Sequence, residues 1–181
     1  TPHRGGASVR WRKTGGRARR PAVPTRRHFR EALSQALELR QASDQPVALL
    51  LLDLDHFKKI NDTHGHLVGD DCLNVAARCI EDVVVPRGGI VARFGGEEFV
   101  AVLPGLDAQQ ALQLAEAVRL RIHQTPVDSD GRSIHLSASI GVHTATGERA
   151  TPEDVIRLAD EALYRAKDDG RNCVRHSVSL V

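Results

Sequence analysis

"RFGGEEFVAVLP", residues 93–104, decides how this chain is read. Two glycines meet two glutamates and then run into an apolar stretch. Residues 90–94 (IVARF) and 99–103 (FVAVL) have the β-branched and aromatic content of strands. Between them, Gly95 and Gly96 are expected to supply the positive φ of a tight hairpin turn. That leaves Glu97 and Glu98 at the hairpin tip. Acidic tips on Gly-Gly hairpins are common and need no function, so the doublet is informative only if other groups in the chain can meet it.

Such groups stand upstream. Residues 47–54 (VALLLLDL) are apolar at consecutive positions, the pattern of a strand buried on both faces. Asp53 and Asp55 sit at its C-terminal end, where side chains of an open α/β sheet emerge into a crevice. Carboxylates at i and i+2 share a strand face, and Glu97 or Glu98 from a neighbouring hairpin makes the pocket all-oxygen. Such a pocket repels itself unless it holds a hard cation, and Mg²⁺ with waters and a substrate phosphate is the natural guest. Asp55 also fits as the N-cap of the next helix.

Around these two strands the pattern is α, β, α, α, β, β, α, β, α, β. Residues 27–41 place Phe29, Leu33, Ala36, Leu37 and Arg40 at helical spacing. The polar stretch "DHFKKINDTHGHLVGDD" leads into a helix with Leu73, Ala76, Ala77, Ile80 and Val84 in line. Asp107 and Gln110 form an N-cap pair for a helix through Ala111, Ala115, Val118 and Ile122. Residues 135–146 alternate like a half-buried strand. "TPED" caps a last helix with proline at its first position, Gly170 ends it, and residues 172–176 add a short strand. The fold class is α/β: a mixed central sheet flanked by helices, with the hairpin at its centre.

Composition bounds the rest. The 181 residues fit one domain with a tail, and no apolar run approaches the roughly 18–20 residues of a membrane span. No initiator Met and no secretory pattern is present, so the chain is read as a piece of a longer one. Three cysteines without a C-x-x-C pair suit a reducing compartment, and Cys72 and Cys79 suit a helix core. Residues 1–30 hold ten of the 25 Lys and Arg and no acid, while the other 151 residues carry 15 basic against 23 acidic groups. The basic arm has no periodicity, so residues 1–25 are read as a disordered linker or tail and not as a nucleic-acid binder. Residues 26–176 form the domain, and 177–181 a C-terminal tail.

Four stretches together go beyond generic pattern: "LLDLDHFKKINDTHGHLVGDDCL" (51–73), "ARFGGEEFVAVLP" (92–104), "SASIGV" (137–142) and "ADEALYRAKDDGRNCV" (159–174). In this order and spacing they closely resemble the GGDEF family of diguanylate cyclases, over about residues 26–176. The resemblance implies a palm-like fold similar to adenylyl cyclase catalytic domains. It implies a Mg²⁺-dependent homodimer, bacterial and cytoplasmic, in which two GTP molecules condense to cyclic di-GMP and two pyrophosphates. About two Mg²⁺ (or Mn²⁺) per site are implied, on Asp53, the Leu54 carbonyl and Glu97. Glu97 takes the catalytic acid's position, with Glu98 as its partner. Asn61 and Asp70 match guanine-reading positions and His66 a nucleotide contact. Lys167 and Arg171 match the cations on the terminal phosphates, and Phe57 and Lys58 lie in the loop that cradles the β- and γ-phosphates. Taken singly, most of these are ordinary turn formers or helix-terminal cations; their joint match to one pocket carries the reading. The alternative is a non-catalytic regulatory domain that binds GTP or cyclic di-GMP.

Two departures stand out. The family's inhibitory product site, Arg-x-x-Asp ending six residues before the first signature glycine, is replaced by Pro86 and Gly89. The usual D-x-L-T-G-L-x-N-R-R approach reads "ARRPAVPTRRHF" here (18–29), which puts coupling to an upstream sensor domain in doubt.

Overall fold

A computed structural model of the chain describes residues 26–146 and 149–177; the expected basic arm, most of the altered approach segment and residues 178–181 lie outside them. The elements run α1 (Arg26–Ser43), β1 (Val47–Leu54), α2 (Phe57–His64), α3 (His66–Val84), a 3₁₀ turn (Val85–Arg87), β2 (Ile90–Arg93), β3 (Glu98–Pro104), α4 (Ala108–Gln124), β4 (Val127–Ser129), β5 (Arg132–Ile134), β6 (Ala138–Ala145), α5 (Pro152–Asp168) and β7 (Val174–His176).

A five-stranded sheet of order β2-β3-β1-β6-β7 carries the domain, and β4 and β5 form a separate hairpin. All pairs in the large sheet are antiparallel except β6 with β7, so the sheet is mixed as expected. The β2–β3 hairpin is not at its centre: β1 is, with β3 and β6 on either side. The reason lies in β1 itself. Every residue of β1 is buried. Ala48, Leu50, Leu52 and Leu54 face a core built with α3 and α4. Val47, Leu49 and Leu51 face a second core built with α1 and α5. Only a central strand covered on both faces can bury eight consecutive positions, and each leucine so placed contributes about 1.5–3 kcal/mol over exposure. β6 is covered on both faces for the same reason, so the half-buried alternation expected for residues 135–146 is not found.

The polar stretch after β1 is helical. α2 buries Phe57, and α3 buries Val68, Cys72, Leu73, Ala76, Ala77, Cys79 and Ile80 on one face, the two cysteines among them. Gly65, at φ 89°, separates the two helices in a conformation open to glycine. The remaining end signals hold. Asp107 and Gln110 form a reciprocal capping box, and the Thr151 hydroxyl accepts from the Asp154 N–H with Pro152 in the first turn. Gly170 follows α5 at φ 105°, and the Arg171 N–H closes the end by donating to the Ala166 carbonyl. Among the described residues no helix is long and apolar enough to cross a membrane.

Candidate active site

Alternation along β1 decides what Asp53 meets. As an odd-numbered residue it shares the face of Leu49 and Leu51, which is the face covered by α5. There its Oδ2 lies 3.0 Å from the Lys167 Nζ in the last turn of α5. Burial nevertheless holds the Asp53 carboxyl above the ordinary carboxylate range, with Glu97 and Asp55 adding to the push and Lys167 opposing it.

The signature turn is not built as expected. Neither Gly95 nor Gly96 has a positive φ. Instead the N–H groups of Phe94 and Gly95 both donate to the Glu98 carbonyl, at 2.8 and 3.4 Å. The Arg93 guanidinium clamps the turn from outside, its Nη2 donating to the Gly96 carbonyl at 2.6 Å and its Nε to the Gly95 carbonyl at 3.3 Å. Gly95 leaves room for the Glu98 side chain, since a Cβ there would come within 2.9 Å of the Glu98 Oε2 and shift that carboxylate. The Leu54 N–H donates to the Glu97 carbonyl at 3.2 Å, fixing the turn to the end of β1.

The two glutamates therefore diverge. Glu98 is the first residue of β3 and pairs directly with Asp53, on the α5 side. Burial and Asp53 raise its carboxyl pKa, with Lys167 partly compensating. Glu97 instead lines a cleft of about 470 Å³ between the turn and α2–α3. The same cleft gathers Phe57, Lys58 and Asn61 from α2 with His66 and Asp70 from α3. Six of the residues singled out in the sequence thus meet around one space. Asp53, Leu54, Glu98, Lys167 and Arg171 are not on its walls.

Leu73 and Arg93 are also on those walls, and sequence reasoning assigned neither to the site. Leu73 sits in the apolar register of α3, which hides any second role. The described hydrogen bonds of Arg93 go to main-chain carbonyls, which leave no residue-type signal. Phe57 and Lys58 form the first turn of α2 and are not in a loop; that helix starts at His56, at φ 54°, without a side-chain cap. Asn61 carries a buried Oδ1 with no hydrogen-bond partner. Gly69 allows Asn61 its place, because a Cβ on Gly69 would fall on that oxygen and lie 3.3 Å from the Phe57 ring.

Asp55 is not a helix cap. It is 6 % exposed, and its Oδ1 accepts from the Ser139 hydroxyl at 2.6 Å. Its Oδ2 accepts from the Ser137 hydroxyl at 2.7 Å and from the Asn172 N–H at 3.0 Å. Its lone pairs are spent on β6 and on the loop after α5, so it does not join an open acidic pocket. Among the described residues no three His, Cys, Asp or Glu side chains are grouped to hold a metal by themselves. The available set is two carboxylates, Asp53 and Glu97, with the Leu54 main chain beside them, all oxygen donors. It fits Mg²⁺, which keeps waters and takes substrate phosphates to complete its shell, better than any ion needing a full protein cage.

The family described as diguanylate cyclase, GGDEF domain matches residues 21–173. The response regulator PleD of Caulobacter vibrioides is 39 % identical over 151 residues, which are 82 % of this chain and 33 % of that protein. The chain thus spans about a third of that relative's length. Among solved structures, the GGDEF domain of YfiN (or TpbB) from Pseudomonas aeruginosa superposes with a TM-score of 0.82 at 33 % identity, covering 86 % of this chain and 97 % of that one. The active GGEEF domain of a diguanylate cyclase from Vibrio cholerae, with the same signature variant, gives 0.80 at 30 % identity, covering 87 % and 99 %.

Proposed function

The chain belongs to the GGDEF family of diguanylate cyclase domains, and on that premise we propose that it condenses two GTP molecules into cyclic di-GMP with release of two pyrophosphates. The observation that carries this reading is the cleft lined by Asn61, His66 and Asp70 together with Glu97. In this reading guanine lies between the walls of Phe57 and Leu73. The Asp70 carboxylate accepts from its N1 and N2 donors, and the Asn61 amide, which can both donate and accept, supplies a further bond.

Toward the turn, the uncapped first-turn N–H groups at Phe57 and Lys58 suit phosphate oxygens. Lys167 from α5 and Arg171 from the loop after it contact the same phosphates in this reading. Asp53, the Leu54 carbonyl and Glu97 are the residues that would hold Mg²⁺, or Mn²⁺ in its place. When bound, the ion neutralises phosphate charge and orients the α-phosphate for in-line attack. In this reading Glu97, on the Arg93-clamped turn, takes the proton of the attacking 3′-hydroxyl.

Each product bond joins two nucleotides, and one cleft of this size holds one. A second copy of the chain, facing the first, completes the reaction. The same reading makes this the catalytic part of a bacterial cytoplasmic signalling protein, joined to a sensor or regulatory domain. The test is chromatography of products after incubation with GTP and Mg²⁺, at high protein concentration and with a leucine-zipper fusion that enforces pairing. Cyclic di-GMP is expected. Absence of product under both conditions would refute the cyclase reading.

A further inference from the structure

Asp55 has no place in the reaction outlined above, yet it is the most heavily engaged carboxylate of the domain. It is buried, no cation pairs with it among the described ion pairs, and three donors converge on it: two serine hydroxyls of the segment entering β6 and one main-chain N–H from beyond α5. Its own N–H donates to the Ser137 carbonyl at 2.9 Å. A charged group buried this way is tolerated because its hydrogen bonds replace the lost water.

The main chain on both sides of this carboxylate is held in an uncommon conformation. His56, next to it, has φ 54°. Arg171 and Asn172, at the end of its third hydrogen bond, have φ 63° and 45°. None is a glycine, and the left-handed conformation is unfavourable for residues with a Cβ. Such residues persist only where neighbouring contacts fix them. Three such contacts hold the Arg171–Asn172 segment and a fourth holds Cys173 beside it. The Arg171 N–H donates to the Ala166 carbonyl, the Asn172 N–H to Asp55, Arg119 to the Asn172 Oδ1 at 2.8 Å, and the Cys173 thiol to the Ala166 carbonyl. Among the bonds of the described residues, it is the Asp55 bond that ties the segment to the end of β1. The side chain of Arg171 itself is exposed.

We infer that Asp55 is a positioning residue: it fixes the Arg171 loop to the end of β1 and thereby sets where the Arg171 guanidinium meets the β- and γ-phosphates of the nucleotide. Asp55 touches no substrate. It locks Arg171 and Asp53, two residues away on β1, into one frame, so that the phosphate cation and the metal-binding carboxylate keep their spacing. The inference rests on the cyclase reading, in which Arg171 binds phosphate.

The experiment titrates the intact chain with GTP and with GMP, which lacks the β- and γ-phosphates. The proteins compared are the unaltered chain, Asp55→Asn, Arg171→Ala and the double variant. Asp55→Asn keeps the shape but turns one accepting oxygen into a donor facing N–H and O–H groups. It is expected to weaken GTP binding by about 10- to 100-fold, the range for loss of a charge-assisted hydrogen bond, and to leave GMP binding unchanged. In the double variant the two losses should not add, since both act through Arg171. Ser137→Ala, which removes one donor and keeps the charge, is the variant to use if Asp55→Asn fails to fold; the same GTP-only loss, smaller, is expected. Equal losses for GTP and GMP, or additive losses in the double variant, would overturn the inference and make Asp55 a general support of the fold. If the unaltered chain binds neither nucleotide, the cyclase reading falls first. If it binds GTP and Asp55→Asn binds it equally well, only the positioning role falls.

Discussion

Asp53 and Lys167 are joined across two elements, the Asp53 Oδ2 lying 3.0 Å from the Lys167 Nζ, with the carboxylate nearly buried and the ammonium one-third exposed. The pair compensates a charge that the sheet forces into the interior. Lys167→Ala leaves Asp53 uncompensated and is expected to cost about 1–2 kcal/mol, between the values for surface and fully buried pairs. Asp53→Asn combined with Lys167→Met should recover most of that loss. Urea unfolding of the unaltered chain and the two variants checks it; a neutral Lys167→Ala would show that the pair contributes nothing to the fold.

Glu97 and Glu98 should behave differently although they are adjacent. Glu97→Gln removes a charge aimed into the cleft, so cyclase activity should fall about 10³-fold or more. Glu98→Gln should cost much less activity and should stabilise the domain at neutral pH. The sign follows from the raised pKa of Glu98. A carboxyl raised in the folded state opposes folding above that pKa, where it must ionise, and the opposition fades as pH falls and both states become protonated. The melting-temperature advantage of Glu98→Gln should therefore shrink on acidification. Equal activity losses for both variants would contradict the divergence of the two side chains.

Guanine selection should depend on a glycine as well as on polar groups. A methyl at Gly69 collides with the Asn61 Oδ1 and crowds the Phe57 ring. Gly69→Ala is expected to lower the preference for GTP over ATP about tenfold or more, in the same direction as Asp70→Ala, with metal binding unaffected. Competition binding of the two nucleotides measures it, and full discrimination by both variants would remove α2 and α3 from base reading.

Product feedback should be weak. At the position where the family's product site carries an Asp, Gly89 is packed so that a Cβ would come within 2.5 Å of the Val84 Cγ1 and 2.7 Å of the Leu103 Cδ2. An acid cannot be restored there without displacing the core, and Pro86 offers no donor in place of the arginine. Loss of two charge-assisted contacts costs about 10²- to 10⁴-fold in affinity. Calorimetric titration with cyclic di-GMP, the active site blocked by a non-hydrolysable GTP analogue, should show no submicromolar site.

Acid should loosen the far edge of the sheet. Burial, with His176 and Arg157 nearby, pushes the His143 pKa down from 6.5 to about 4, and its Nδ1 shares a 2.6 Å hydrogen bond with the Ser177 hydroxyl. The unfolded chain takes up a proton below about pH 6.5 that the folded one refuses until about pH 4. Stability contributed by neutral His143 is thus complete above the upper value and lost progressively between the two. His143→Gln should flatten the fall in melting temperature across that window; an unchanged slope would assign the acid loss to other groups.

How much was legible in the sequence differs from residue to residue. The run at 47–54 announced a strand buried on both faces because consecutive apolar residues have no other use at that length. The capping pairs at Asp107 and Thr151 announced their helices because the bonds involved are local. The four stretches suggested one nucleotide site through their resemblance to the GGDEF family, and six of the residues singled out do share one cleft. The rest was set by partners distant in the chain. Strand order puts β1, not the hairpin, at the centre, since pairing with both β3 and β6 buries more of it. The pleat sends Glu97 and Glu98 different ways. Asp55 turned from the pocket because Ser137, Ser139 and Asn172, more than eighty residues away in sequence, offered it better-matched donors than any helix start. Residue type and spacing determine which polar groups this protein carries; only the packed sheet, by choosing their faces and hydrogen-bond partners, decides which of them share the cleft.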